Sequence, residues 1–259
     1  MNDILKVGWT PFVHNEGNPS ESFGYFSEWQ HLAVQPPEPA YKSIAADRPN
    51  SDILPCPGIT GYFKNTFLIR SPIDITITVK TDIKTVTLEG AGYDQKFYKE
   101  WVIRRPNDFA NPNKPIVTLG PKLVFVADED VILEALPAMM HDTPALRNLR
   151  VIPGTYNIHR WVRPVDFTFE VLDPSQPLVF KRGDPLFYIR FIDPKDRKVE
   201  LERVDQNDEL LKTMYGMVVL KNYVKNVKLN KLYEMAHDWI KNKTWLPKKK
   251  RCPFHWSKK

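Results

Sequence analysis

The chain has 259 residues, 42% of them hydrophobic, which is enough to bury a substantial core in one large domain or two small ones. Two cysteines, Cys56 and Cys252, are too few for a disulfide framework, and the first nine residues hold no apolar run. We therefore expect a cytoplasmic protein that is neither secreted nor membrane-spanning. The net charge of +6 is uneven, because residues 221–259 hold twelve Lys or Arg against two acids and the preceding residues are mildly acidic.

Residues 1–65 are predicted to form an irregular leader rich in aromatic residues. Aromatic side chains are interleaved there with His, Asn, Gly and Ser. Pro36, Pro37 and Pro39 restrict the backbone of the segment that follows. At this density the aromatic side chains are expected to pack on the body of the protein. They are Trp9, Phe12, Phe23, Tyr25, Phe26 and Trp29.

Residues 66–200 are predicted to form a mainly β body. Apolar and polar side chains alternate from Ile73 to Lys80 and from Thr85 to Glu89, which predicts a hairpin with its turn near Thr81 and Asp82. Short strands at this spacing favour a sandwich, a jelly roll or a small barrel. Further strands are predicted at Trp101–Arg104, Ile116–Leu119, Leu123–Ala127, Val131–Ala135, Tyr156–Val162, Phe167–Leu172, Leu178–Phe180 and Leu186–Ile192.

Residues 205–246 are predicted to form C-terminal helices. Asp205 or Asn207 can cap a first helix, whose apolar residues recur at intervals of three and four. A second helix over 224–241 carries apolar residues on one side and lysines on the other, and Pro247 is expected to end it. The apolar residues are Leu210, Leu211, Met214, Met217 and Val218 in the first helix, and Val227, Leu232, Met235, Ala236 and Trp239 in the second.

Residues 247–259 form a basic tail, which is the best candidate in the sequence for binding a polyanion. Its run Lys248, Lys249, Lys250, Arg251 is flanked by Trp245 and Trp256. Lysines neutralise phosphates and release counterions, and indoles stack on exposed bases. The predicted partner is nucleic acid or another acidic surface, and the alternative is a tail that only keeps the protein soluble.

Cys252 and His255 have the two-residue spacing of half a zinc site. Cys56 with His14, His31 or His237 would complete four ligands, as tetrahedral zinc requires. The alternative is that Cys252 packs as a small hydrophobic residue while Phe254 and Trp256 pin the tail to the body. No cofactor is favoured, and zinc remains the open alternative.

Three polar clusters receive structural interpretations. His141 and Asp142 are adjacent, so they lack the His-x-Asp spacing of an iron facial triad. His159 and Trp161 would share one face of a predicted strand, where a cation stacks on the indole. The carboxylates Asp128, Glu129, Asp130 and Glu134 suit a solvated edge or, alternatively, a cation site.

Four segments resemble the trimeric dUTPase and dCTP deaminase superfamily. Gly90–Asp94 is similar to the first dUTPase motif and Val179–Leu186 to the fourth, with Ile116–Gly120 and Val151–Tyr156 between them in the right order. The resemblance covers about residues 88–192. It implies a β-clip or distorted jelly roll with Gly183 in a tight turn, and it leaves a homo-oligomer open.

The resemblance does not extend to the catalytic motifs of the superfamily. Residues 140–144 stand where a dUTPase has its Arg-Ser-Gly phosphate loop, and the aspartate beside Tyr156 is absent. The resemblance still implies an alternative function, a nucleotide-acting hydrolase or deaminase. In it Glu170 would be the general base, Tyr156 would stack on the sugar, and Asp94 would complete the site.

The chain as a whole resembles proteins carried by tailed bacteriophages, most clearly at Asn65–Pro72 and Lys181–Phe191. No P-loop, nucleophile elbow or His-Glu-x-x-His motif occurs. The first function hypothesis is therefore a non-catalytic binding or structural protein of phage type. It would act in the host cytoplasm through a basic C-terminal contact surface.

Overall fold

The computed structural model describes residues 4–11, 35–80, 85–90, 114–120, 123–205, 207–223, 227–240 and 242–246. The protein is mainly β, as the sequence predicts. The strands are β1 (Ile4–Pro11), β2 (Glu38–Pro39), β3 (Thr66–Arg70), β4 (Ile75–Lys80), β5 (Thr85–Glu89), β6 (Ile116–Leu119), β7 (Leu123–Val126), β8 (Ile132–Pro137), β9 (Leu149–Val151), β10 (Gly154–Asn157), β11 (Phe167–Val171), β12 (Leu178–Phe180), β13 (Pro185–Ile192) and β14 (Lys198–Arg203). The helices are α1 (Ala40–Asp47), α2 (Pro57–Tyr62), α3 (Pro144–Arg147), α4 (Asp208–Tyr223) and α5 (Leu229–Ile240).

Several open sheets make up the body. Their strand orders are β14-β1-β7, β10-β8-β13-β3-β2, β6-β11-β9 and β12-β4-β5. Within the described residues none of these sheets closes into a barrel. The pairing is antiparallel except between β1 and β14, which run parallel.

The period of two predicts the β4 and β5 hairpin correctly. The two strands pair antiparallel from Thr76 opposite Glu89 to Lys80 opposite Thr85. Ile75, Ile77 and Val79 are buried, as the alternation requires. The predicted turn at Thr81 and Asp82 lies outside the described residues, as does the predicted strand Trp101–Arg104.

The prediction of an irregular leader over residues 1–65 is wrong for its described part. Strand β1 lies between β14 and β7 and buries Leu5, Val7 and Trp9 in the body. Nearly every residue of β1 is buried, so its sequence lacks the alternation of a half-buried strand. The same segment also contains α1 and α2, and its aromatic residues from Phe12 to Trp29 lie outside the described residues.

The predicted strand Tyr156–Val162 is too long. Strand β10 ends at Asn157, whose side-chain oxygen accepts hydrogen bonds from the amides of His159 (2.9 Å) and Arg160 (3.2 Å). This asparagine turn competes with the β ladder and redirects the chain. The other predicted strands that fall within the described residues are present, with small shifts of their ends.

Gly183 confirms the turn that the Gly-Asp motif predicts. Its φ is 92°, a backbone conformation that glycine adopts without steric cost. The carboxylate of Asp184 accepts a hydrogen bond from the amide of Lys181 at 2.8 Å, which closes the loop between β12 and β13.

Three apolar clusters pack among the residues that the structure describes. The largest fills the sheets and includes Phe167, Phe169 and Phe187. A second lies under α1, around Ile44 and Tyr188. The third joins α4 and α5 to the body and is here called the helix-attachment core: Val124, Val126, Trp161, Val162, Val204, Leu210, Met214, Met217, Ala236 and Ile240.

The predicted C-terminal helices are confirmed with two corrections. Asn207 caps α4, because its side-chain oxygen accepts a hydrogen bond from the amide of Leu210 at 2.8 Å. Met235 and Trp239, predicted for the apolar side of the second helix, are 43% and 45% exposed. That helix ends at Ile240, well before Pro247, which lies outside the described residues. None of the described helices is long and apolar enough to cross a bilayer.

Candidate functional site

The segment that precedes the basic tail is fixed to the body. The backbone amide of Trp245 donates a hydrogen bond to Asp128 Oδ1 at 2.7 Å. Trp245 and Leu246 also pack against the helix-attachment core. The basic run Lys248–Arg251 begins two residues after Leu246 in the sequence, so the cationic segment continues from a defined point on the body.

The acidic turn Asp128, Glu129, Asp130 provides that point. Glu129 and Asp130 are exposed, as the predicted solvated edge requires, and all three carboxylates are paired. Asp128 holds Trp245, while Glu129 accepts hydrogen bonds from Arg197 (3.0 and 3.1 Å) and Lys195 (2.9 Å). Asp130 accepts from Arg160 at 3.0 and 3.1 Å and from Asn157 at 2.8 Å. The turn therefore ties distant segments of the chain together, and Glu134 likewise pairs with Arg190.

Ion pairing accounts for the acidity of these carboxyl groups. The hydrogen bond from Arg197 is the main cause that lowers the pKa of Glu129, and the one from Arg160 does the same for the pKa of Asp130. Burial opposes both effects and is outweighed. Both carboxylates stay charged at neutral pH.

A cleft of about 420 Å³ separates α5 from the turn after β10. Arg160, Lys231, Glu234 and Asp238 line it with Asn230, Tyr233 and His237. Arg160 is paired with Asp130, and Lys231 with Glu234 at 2.9 Å. Because the cations are balanced by carboxylates, the cleft carries no excess positive charge and does not attract a polyanion.

His237, which lines the cleft, packs edge to face against His159, with ring centroids 5.6 Å apart. Nδ1 of His159 lies 3.0 Å from the carbonyl oxygen of Ala127, and because a carbonyl only accepts, this nitrogen carries the proton. Nδ1 of His237 is buried without a hydrogen-bond partner among the described residues. Sequence reasoning did not select this pair, since His237 was considered only as a zinc ligand.

The predicted stacking of a cation on Trp161 is wrong. Arg160 is bound to Asp130, and the Trp161 ring packs against Tyr233 with centroids 4.5 Å apart. Trp161 is only 1% exposed. It is therefore a core residue of the helix attachment rather than a cation acceptor.

Of the site implied by the dUTPase resemblance, the structure describes Glu170 and Tyr156, which lie in different sheets. Glu170 lies on β11 and forms an ion pair with Arg150 at 3.2 Å. Tyr156 lies on β10 in a different sheet, and its hydroxyl is buried with no hydrogen-bond partner there. Burial raises the pKa of this hydroxyl above its ordinary value. Neither residue lines the cleft, and Asp94 lies outside the described residues.

The metal candidates fall into two groups. Cys56 is an exposed free thiol directly before α2. In the part of the chain that the structure describes, no three His, Cys, Asp or Glu side chains converge as metal ligands. Cys252 and His255 lie outside the described residues, as do His14 and His31.

His141 and Asp142 bind different partners, which removes the facial-triad interpretation. Nδ1 of His141 lies 2.7 Å from Asp47, and the carboxylate of Asp142 is bound by Arg147. Burial lowers the pKa of His141, although Asp47 acts in the opposite direction. The His141 ring packs beside Tyr188 with centroids 5.8 Å apart, so it is a structural residue.

Of the predicted polyanion-binding residues, the structure describes Trp245. It is partly buried, with the ammonium of Lys243 6.0 Å from its ring centroid. Lys248, Lys249, Lys250, Arg251 and Trp256 lie outside the described residues. Trp239, which the sequence predicts for the apolar side of its helix, is 45% exposed.

Comparison of the chain with models of known protein families gives no match, and comparison with curated proteins gives none either.

Proposed function

We propose that this chain is a non-catalytic binding protein of phage type that contacts a polyanion, namely nucleic acid, through its basic C-terminal segment, residues 221–259. The body would be a β-clip or jelly-roll scaffold that displays this segment. The part that contacts phosphate would be the run Lys248–Arg251 together with neighbouring lysines.

The observation that carries the proposal is the separation of charge along the chain. Residues 221–259 have a net charge of about +10, whereas the preceding 220 residues have about −4. Positive charge concentrated in one segment attracts the phosphates of a nucleic acid. Contact then releases the counterions bound to those phosphates. The anchoring of Trp245 and Leu246 supports the proposal, because it ties the start of the tail to a folded surface.

The nucleotide-acting alternative has no comparable support. The Glu170 carboxylate is engaged by Arg150, and Tyr156 is on another sheet. A general base needs a carboxylate within reach of a bound substrate. Neither residue lines the cleft beside α5.

A salt titration tests the proposal. Affinity for a fluorescent DNA oligonucleotide is measured from low to moderate salt with the full chain and with a variant that changes Lys248, Lys249, Lys250 and Arg251 to Ala. Log affinity should fall linearly with log salt, and the slope should become shallower by about 1 for each lost phosphate contact. Absence of binding at low salt, or a flat response, would contradict the proposal.

A matched control changes four exposed cations of the body. It should leave both affinity and slope close to those of the unaltered chain. An equal loss in the control would assign the attraction to general positive charge rather than to the C-terminal segment. The control residues are Lys42, Lys114, Arg150 and Lys181.

A further inference from the structure

Trp239 is a large apolar side chain that the fold leaves open on its most cationic segment. It lies on α5, where the buried face is formed by Leu232, Ala236 and Ile240. Trp239 is 45% exposed, and Met235, one turn earlier, is 43% exposed. This exposed indole, with Lys243 over its ring, differs from the indole of Trp161, which is only 1% exposed.

The Trp239 ring is held in place on α4. A methyl group at Gly216 would lie 2.5 Å from both Cζ3 and Cη2 of Trp239, so only glycine leaves room for the ring edge. The indole is therefore fixed by contact and yet half open to solvent. A fixed aromatic surface binds a flat partner at a lower entropic cost than a mobile one.

Lys243 completes this surface. Its ammonium lies 4.9 Å from the Trp239 ring centroid, and it is itself held by Thr213 Oγ1 and Glu209 Oε1, each at 3.3 Å. These contacts hold the Lys243 ammonium over the Trp239 ring in a cation–π arrangement. Residues 221–259, which include both, carry the net charge of about +10.

We propose that Trp239 stacks on an unpaired base, so that the C-terminal segment selects single-stranded over duplex nucleic acid. This inference rests on the proposed function. A fixed, open ring beside a basic segment is the combination that binds single strands, since every base has a π face. A duplex keeps its bases stacked on one another and would offer Trp239 only its backbone.

The test compares a mixed-sequence DNA single strand with its duplex, using the full chain and fluorescence anisotropy at one low salt concentration. Trp239→Ala should weaken single-strand binding by about 5- to 150-fold, the factor that corresponds to 1–3 kcal/mol of stacking. Duplex binding should change less than twofold. Trp239→Phe keeps an aromatic face and should retain most of the single-strand affinity.

Met235→Ala is the matched control, because it removes an exposed apolar side chain from the same helix, and it should change neither affinity. Circular dichroism and thermal unfolding check that each variant is folded. Equal losses on single strand and duplex, or an unchanged single-strand affinity in Trp239→Ala, would overturn the stacking inference and leave the proposed function standing. Failure of the unaltered chain to bind either nucleic acid would overturn both.

Discussion

The β body and the C-terminal helices are stabilised in different ways. Strand β13 pairs with β3 on one side and β8 on the other, and β1 likewise lies between two strands. Helices α4 and α5 instead rest on one apolar cluster, the helix-attachment core. The body is thus held by many redundant contacts, whereas the segment proposed to bind depends on a few particular side chains.

Trp161→Ala should produce the largest effect. Trp161 is 1% exposed and contacts Tyr233 of α5, so its removal leaves a large cavity in the helix-attachment core. The loss should be about 3–5 kcal/mol. Because α4 and α5 rest on this core, the helical circular dichroism signal should be lost at a lower urea concentration than the β signal.

Phe169→Ala is the matched control in the body. Phe169 is fully buried in the largest cluster, and its truncation should cost a similar amount. Here both circular dichroism signals should disappear together, at a lower urea concentration than in the unaltered chain. If Trp161→Ala also loses both signals in one coincident transition, the body and the C-terminal helices unfold as one cooperative unit. The proposed difference in how the two regions are stabilised would then be wrong.

The stability of the body is expected to fall at acidic pH because of one buried ion pair, Asp193 with Arg197. The side chain of Asp193 is buried, and the hydrogen bond from Arg197 is the main cause that lowers its pKa to about 2 from an ordinary value of 3.8. A lowered pKa contributes stability that is present above pH 3.8 and is lost as the pH falls towards 2. The contribution at neutral pH is about 2 kcal/mol.

Asp193→Asn should therefore lower the free energy of unfolding by about 2 kcal/mol at pH 7. The difference from the unaltered chain should shrink as the pH falls from about 4 to about 2. Urea unfolding at several pH values measures it. Asp142→Asn, which breaks the exposed pair with Arg147, is the control and should have little effect at any pH. A loss from Asp193→Asn that is the same at every pH would exclude a role for its charge.

The sequence predicts the half-buried strands well because their alternation has a direct physical cause. In β4, Ile75, Ile77 and Val79 point into the core and the residues between them do not. In contrast, β1 is buried along nearly its whole length, so no alternation marks it, and the sequence predicts an irregular segment there. A strand whose partners are β7 and β14 depends on contacts that local sequence does not record.

The C-terminal site shows the same limit. Helical spacing correctly predicts that α4 and α5 are helices, but it placed Trp239 on the buried side. Gly216 on α4 covers one edge of the Trp239 ring while 45% of the residue stays exposed, and helical spacing does not record such a tertiary contact. The charge of the tail can be read from the sequence. The links that Asp128, Glu129 and Asp130 make to the segments of Trp245, Arg197 and Arg160 cannot, because they are tertiary contacts.

Asn207→Ala should have the smallest of these effects and should act on the C-terminal helices. The Asn207 side chain accepts a hydrogen bond from the Leu210 amide at 2.8 Å, and losing a cap of this kind costs about 1 kcal/mol. Asp205, the other cap that the sequence allows, is exposed, so Asp205→Ala is the control and should change stability by less than about 0.5 kcal/mol.

Hydrogen exchange of the α4 amides distinguishes the two outcomes. If the helices open independently of the body, Asn207→Ala should exchange its α4 amides faster while the amides of β13 stay unchanged. Equal acceleration in α4 and β13 would mean that the cap stabilises the whole protein, and the distinction between a redundant body and a singly attached pair of helices would fail.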